Sequence, residues 1–306
     1  MDSRRIAVAV LTAVFALGAG AGSTLAARPT RPLPPAQPLP QAERPLTPKE
    51  QAISDTKVAA ALTYVASLRA ANFGLSSLSC AVPNAPPPQG TARAADLGVS
   101  GTEVMDASCV PSAQLPVEAR QQAKNHYCGP AVGQVISNYA WTMKAGANKH
   151  SQTTIATWMK TDVNGLTNAP ELAAGLQKAT VGGPRTPANW AWGVTDLRDL
   201  DRNSSTGDEL HDFVVTAISS WKMPLGIPVK PHDKNSEYRL SSWPNVVSSP
   251  GHWIAAYGWS GFGGLSYARV YFADSSKNQG GGTGKYWNLT LEIAALIGEH
   301  TGRFVW

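Results

Sequence analysis

Few side chains in this 306-residue chain could do covalent chemistry, and the three cysteines and six histidines are the first to weigh. Cys128 stands in QQAKNHYCGPAVGQVISNYAW, a glutamine-rich lead-in followed by Pro130 and an apolar run at helical spacing. Free N–H groups and aligned peptide dipoles at a helix start favour negative charge. They draw a thiol from about 8.5 toward the roughly 3.5–7.5 range of activated cysteines. Much further on, Gly251-His252-Trp253 opens one alternating apolar run and Asp274 closes a second. A thiol, an imidazole and a carboxylate in that order suit a cysteine hydrolase: the ring takes the thiol proton, the thiolate attacks a carbonyl, and water releases the acyl-enzyme.

The other two cysteines bear on the first. Cys80 and Cys109 lie in a proline-rich stretch, where a bridge in an oxidising compartment would close a long loop and constrain the unfolded chain. Cys128 is then left over. Two other readings stay open, a buried structural thiol and a bridge from Cys128 to either partner. Six positions before Cys128, Gln122 can bring its amide beside the sulfur at a bend, and with the Cys128 N–H would form a two-donor oxyanion hole. Gln121 is its adjacent competitor for that role.

The elements that must position these groups follow from periodicity. Pro130 suits a first helical turn, and Ala131, Val132, Val135, Ile136, Tyr139, Ala140 and Met143 recur at helical spacing up to a stop at Gly146. The runs 252–259 and 267–274 flank the glycine-rich SGFGGLS and read as a hairpin. With Gly263 at the loop centre, paired residue numbers sum to 526, which sets His252 opposite Asp274. Opposed residues share a face with Cβ atoms about 4.5–5.5 Å apart, so the carboxylate could hold one ring nitrogen and leave the other for the thiol. That pairing requires a symmetric loop without a bulge, since a one-residue slip turns the two side chains to opposite faces.

Gln122, Tyr127-Cys128-Gly129-Pro130-Ala131, the segment Met223-Pro224-Leu225-Gly226-Ile227-Pro228-Val229, Gly251-His252-Trp253, Tyr257-Gly258 and Asp274 together resemble the papain-like cysteine peptidases. The branch is that similar to bacteriocin-processing leader peptidases, and the likeness spans roughly residues 116 to 300. It implies an α+β, papain-like fold in which an N-terminal helix carrying the cysteine packs on an antiparallel β-sheet carrying the histidine and aspartate. It also implies Cys128 as nucleophile, His252 as base, Asp274 as its orienter and Gln122 as oxyanion donor. Ser275 stands where many relatives have proline. Double-glycine specificity is not carried over, because those leader peptidases are cytosolic parts of transporters.

This chain instead begins MDSRRIAVAVLTAVFALGAGAGSTLAARP, with Arg4 and Arg5, an apolar stretch and small residues up to Ala26 or Ala27, the pattern of an export signal over residues 1–27. An uncleaved anchor is the competing reading, and the export route is open. Residues 28–47 alternate proline with polar and aliphatic residues, as an extended tether does. Thr47-Pro48-Lys49-Glu50 is a capping box opening an alanine-rich helix to about Phe73, within an N-terminal extension over 48–115 that either covers the cleft as a pro-segment or packs on the domain. The peptidase domain is assigned to 116–306. All ten tryptophans lie at Trp141 or later, which puts the large core there. The segment 144–211, with Trp190 and Trp192 close together, either lines a substrate cleft or packs as a surface excursion.

The formal charge of +5 becomes +4 when Asp2, Arg4 and Arg5 are removed, and lysine and arginine are scattered. That disfavours nucleic acid as a partner and leaves room for weak association with an anionic cell surface. No HExxH pair or phosphate loop is present, so neither metal nor cofactor is expected, and His211-Asp212 and His232-Asp233 read as solvated sites. The expected protein is therefore a secreted cysteine peptidase acting on a peptide or protein substrate, with no transmembrane span after signal removal. The alternatives are a non-catalytic peptide- or cell-wall-binding module on the same fold, and an acyltransferase using the same residues.

Overall fold

The computed structural model describes residues 43–73, 112–161, 167–197, 206–232, 236, 238–245, 251–261, 268–276 and 281–306. The export signal, most of the tether, and Cys80 and Cys109 with their expected bridge lie outside the described residues.

Helix α1 runs Pro48–Phe73. The capping box opens it: the Glu50 N–H donates to Thr47 Oγ1 at 3.3 Å and the Thr47 N–H to Glu50 Oε2 at 2.8 Å. These bonds satisfy donors a free helix end leaves orphaned. Ser54, Lys57, Ala61 and Val65 are buried at spacings of three and four residues, so they form one stripe along α1. The stripe packs on β2 (Val194–Asp196), α5 (Thr206–Val215) and the π-helical turn Thr216–Ser220. Three polar bonds fix α1 there, one from Ser54 Oγ to Thr195 Oγ1 at 2.9 Å and two from Arg69 to the oxygens of Asp212 at 3.0 Å. Residues 48–73 thus pack as an extension of the domain.

Between α1 and the sheet's central strands come β1 (Ser112–Gln114), α2 (Cys128–Ala140), α3 (Gln152–Trp158) and α4 (Ala169–Thr180). After α5 the chain supplies β3 (Leu225–Val229), β4 (His252–Ser260), β5 (Arg269–Ser275), β6 (Thr283–Leu289), α6 (Thr290–Gly298) and β7 (Arg303–Val305). All strand pairs are antiparallel, in the order β2-β7-β3-β4-β5-β6, and β1 adds to β4. The architecture is mixed α+β, with helices packed on an antiparallel sheet.

Every residue of β4 is buried, so both faces of this strand are covered; α2 packs on it and so does α5. Every residue of α2 is buried as well, which its apolar spacing alone would not require. Its polar side chains are paired: Ser137 donates to Ala179 O, Gln134 to His150 O and Asn138 to Asn148 Oδ1. The helix stops sooner than its periodicity implied. It ends at Ala140, and Thr142 turns to a positive φ of 53°, so Met143 and Gly146 lie beyond the helix.

The hairpin register also differs from the symmetric one. Ser260↔Arg269, Trp259↔Val270 and Gly258↔Tyr271 are partners, and beyond a bulge at Tyr257 the pairs become Ala256↔Phe272 and Ala255↔Ala273. Paired numbers therefore sum to 529 near the turn and 528 beyond the bulge. Continued to the strand ends, this register sets Asp274 opposite Ile254, two residues along from His252. The odd register alone would have put His252 and Asp274 on opposite faces, and the extra residue restores them to one face. A bulge that the direct-opposition argument excluded is what lets these two side chains meet.

Candidate active site

His252 is the first residue of β4 and Asp274 the sixth of the seven residues of β5, and each is 1% exposed. His252 Nε2 lies 2.8 Å from Asp274 Oδ1. That is a diagonal cross-strand contact, within reach of these side chains although their Cα atoms are not directly opposed. The carboxylate accepts three further bonds. The Ser276 N–H donates to Oδ1 at 2.8 Å, and Ser242 Oγ and Trp243 Nε1 donate to Oδ2 at 2.6 and 2.9 Å. Trp243 also packs its ring on His252, with centroids 5.0 Å apart, and is fully buried. Water is thereby kept from the histidine–aspartate bond, where a low local dielectric strengthens the attraction.

Burial is the largest influence on each of these groups. It pushes Asp274 up, but the charge and hydrogen bond of His252, with the bonds from Ser242 and the Ser276 N–H, bring the carboxyl below its ordinary value. Burial pushes His252 down, and the Asp274 charge and hydrogen bond, followed by Cys128, more than reverse it and raise the imidazole to about 10. Cys128 follows the same logic. Burial pushes the thiol up, while the proximity and charge of His252 and the backbone N–H groups of Trp253 and Gly129 leave it lowered overall. The shifts of Cys128 and His252 both run toward a thiolate–imidazolium pair oriented by the carboxylate.

Cys128 is the first residue of α2, carries a free thiol and is 8% exposed. With Nε2 committed to Asp274, the Nδ1 nitrogen of His252 remains; it is buried and makes no hydrogen bond of full geometry. The backbone around the sulfur is held closely. A Cβ at Gly129 would come within 2.7 Å of Thr167 Oγ1, so the residue after the thiol has room for a hydrogen only. On the other side of the pair, a Cβ at Gly251 would lie 1.8 Å from His300 Nε2. Burial, aided by the charges of Lys230 and His252, lowers His300 to about 4, so it is neutral near pH 7 and adds no second cation beside His252.

Gln122 is buried beside these groups. Its backbone N–H donates to Ser275 O at 2.9 Å, which ties the lead-in to the strand end carrying Asp274. Its side-chain amide donates to Lys124 O at 3.1 Å and Asn125 O at 2.8 Å, so both N–H groups brace the bend that delivers Cys128. Gln122 takes up the expected oxyanion role only by giving up one of those bonds. Gln121 is exposed on the surface.

Four residues at or beside the site were not singled out in the sequence: Ser242, Trp243, Ser276 and His300. Ser242 and Trp243 arrive from the 238–245 segment and have no spacing relation to either strand. The dipeptide Ser-Trp ahead of the base is a weak signal. Of the residues expected to be solvated, His232 is half-buried with Nδ1 3.1 Å from Trp243 O, Asp233 lies outside the described residues, and the other two are buried. His211 and Asp212 are both buried in α5, His211 edge-on to Trp259 and Asp212 in its ion pair with Arg69. An arginine reaching from α1, remote in sequence, made that burial possible.

In comparisons with known proteins, no family model and no curated protein matches this chain. Among the described residues, no helix is long and apolar enough to cross a membrane.

Proposed function

We propose that this protein is a secreted thiol hydrolase with a papain-like arrangement of its site, cleaving peptide amide bonds of a peptide or protein substrate. The observation that carries the reading is the buried 2.8 Å bond between His252 Nε2 and Asp274 Oδ1, which orients the imidazole and leaves Nδ1 for the Cys128 thiol. His252 takes the thiol proton, and the thiolate attacks the scissile carbonyl carbon. The imidazolium then gives that proton to the leaving amine nitrogen as the C–N bond breaks. Water, deprotonated by His252, attacks the thioester, and the carboxylic acid and free thiol result. The Cys128 N–H at the start of α2 is the nearest candidate donor for the oxyanion, with Gln122 joining it on exchange of a brace bond. Export follows from Arg4, Arg5 and the apolar run that ends at Ala26 or Ala27.

The test combines labelling and turnover. Iodoacetamide should alkylate Cys128 near neutral pH, and His252→Ala should slow that reaction strongly. A peptide library should be cut by the secreted protein and left intact by Cys128→Ala. Equal labelling rates in the two proteins would sink the proposal.

A further inference from the structure

Lys57 occupies the middle of the buried stripe of α1 and is 7% exposed, yet its Nζ has no hydrogen-bond partner. Its surroundings are indole rings. Nζ lies 3.4 Å from the ring centroid of Trp190, 4.6 Å from that of Trp221 and 5.6 Å from that of Trp306, all within the ~6 Å over which a ring face attracts a cation. The rings support each other: Trp190 and Trp221 meet with centroids 5.5 Å apart, Trp221 and Trp306 at 5.1 Å, and Trp192 closes on Trp190 at 5.7 Å. The stem is accommodated as closely as the head. A Cβ at Gly193 would come within 2.9 Å of Lys57 Cδ and 3.2 Å of Ile53 Cγ2, so glycine there leaves the channel for the four methylenes. Gly193 is fixed by backbone bonds in both directions with Trp306, at 2.8 and 3.0 Å, which joins the wall of the channel to a ring of the cage.

An apolar side chain would fill this space without the desolvation penalty that a lysine carries. Burial pushes Lys57 well below its ordinary range, and no carboxylate among the described residues acts against that. The faces of the three indoles are the groups that do, because their quadrupoles attract an ammonium at a site shielded from bulk solvent.

We infer that Trp190, Trp221 and Trp306 form an alkylammonium-binding site, which the chain fills in cis with the ε-amino head of Lys57 to dock the N-terminal helix. The ligand class is a primary or methylated ammonium on a linear alkyl stem. The site is separate from Cys128 chemistry and stands or falls independently of it.

Chemical rescue tests the inference. Lys57→Ala removes three methylenes and the amine, and n-propylammonium, which matches them, should raise its thermal midpoint saturably, with no such rise in the unaltered protein. Propan-1-ol, the neutral probe of the same length, should bind at least about fivefold more weakly, on the scale of a desolvated cation–π contact. Should Lys57→Ala fail to fold, a double-mutant cycle of Lys57→Met with Trp190→Leu in urea supplies the same answer. Coupling of about five- to thirtyfold in the unfolding equilibrium is expected. Rescue by propan-1-ol equal to that by n-propylammonium, or a Lys57→Met protein as stable as the parent with no coupling to Trp190, would overturn it.

Discussion

His252 and Lys57 are the two buried basic side chains whose surroundings contrast most. Burial acts on both in the same sense, toward the neutral form. At His252 the water removed is replaced by a carboxylate at 2.8 Å, itself holding three further donors, and the imidazole rises to about 10. At Lys57 it is replaced by three ring faces and no hydrogen bond, and burial keeps the amine well below its ordinary value. Burial therefore does not by itself decide the charge of an interior base. A connected polar network makes a charged pair the stable state, whereas an aromatic cage offers attraction without a proton acceptor. The first arrangement suits chemistry, and the second suits holding two elements together.

The sharpest way to break that contrast is to remove the sulfur. Cys128→Ala should abolish turnover, a loss of about 10³-fold or more, while leaving the His252–Asp274 bond and the fold in place. Measured peptide hydrolysis and a thermal midpoint close to that of the parent would check both halves.

Asp274→Asn comes next. The amide keeps the shape but withdraws the charge, so turnover should fall by about 10²–10⁴-fold. The pH dependence of stability carries a sign that follows from the shifts, and is best read in the Cys128→Ala background, where the thiol no longer titrates. The imidazole's folded value, raised by Asp274, lies above its unfolded value of about 6.5. Its contribution is thus complete below about 6.5 and is lost as pH rises through the folded value. Asp274 is lowered, so its contribution is present above about 3.9 and is lost as pH falls through its lower folded value. Urea unfolding against pH should accordingly show a plateau between the two and an alkaline decline, and Asp274→Asn should flatten both edges. A curve unchanged by that substitution would contradict the network.

Trp243→Phe sharpens the comparison by a smaller step. It keeps a ring over His252 and removes one of the four bonds to Asp274. The expected loss is about 1.5–3 kcal/mol in stability, the range for a hydrogen bond to a charged group, with a smaller fall in turnover than for Asp274→Asn. Urea midpoints and initial rates measure the two separately.

What could be read from residue order differed between the two regions. The thiol at a helix start and the pairing of His252 with Asp274 were legible, because a cysteine before proline and two alternating runs are local patterns. The register was not. The bulge at Tyr257 depends on β1 lying alongside, where Leu115 N–H takes the Tyr257 carbonyl at 2.8 Å, and no spacing within the hairpin encodes that neighbour. Ser242 and Trp243 were missed for the same reason, since they come to Asp274 from a segment 31 and 32 residues away. The tryptophan cage was half legible. Trp190 and Trp192 stood out as a close pair, but the lysine that Trp190 faces lies on a helix more than a hundred residues earlier and reads there as a polar position.

Gln122 tests how far the polar network extends beyond the ion pair, and its effect should be the smallest. If its amide serves mainly to brace the bend before Cys128, Gln122→Ala unties Lys124 O and Asn125 O and costs about 1–3 kcal/mol of stability. Turnover should then fall by about tenfold or less, since the Cys128 N–H stays in place. An oxyanion donor behaves differently: its loss lowers kcat by about 10²–10³ with little effect on unfolding. Kinetics and urea unfolding on the same variant separate the two. A large fall in kcat at unchanged stability would mean that one brace bond is exchanged for the substrate during turnover, which would place the amide beside His252 and Cys128 in the reacting set.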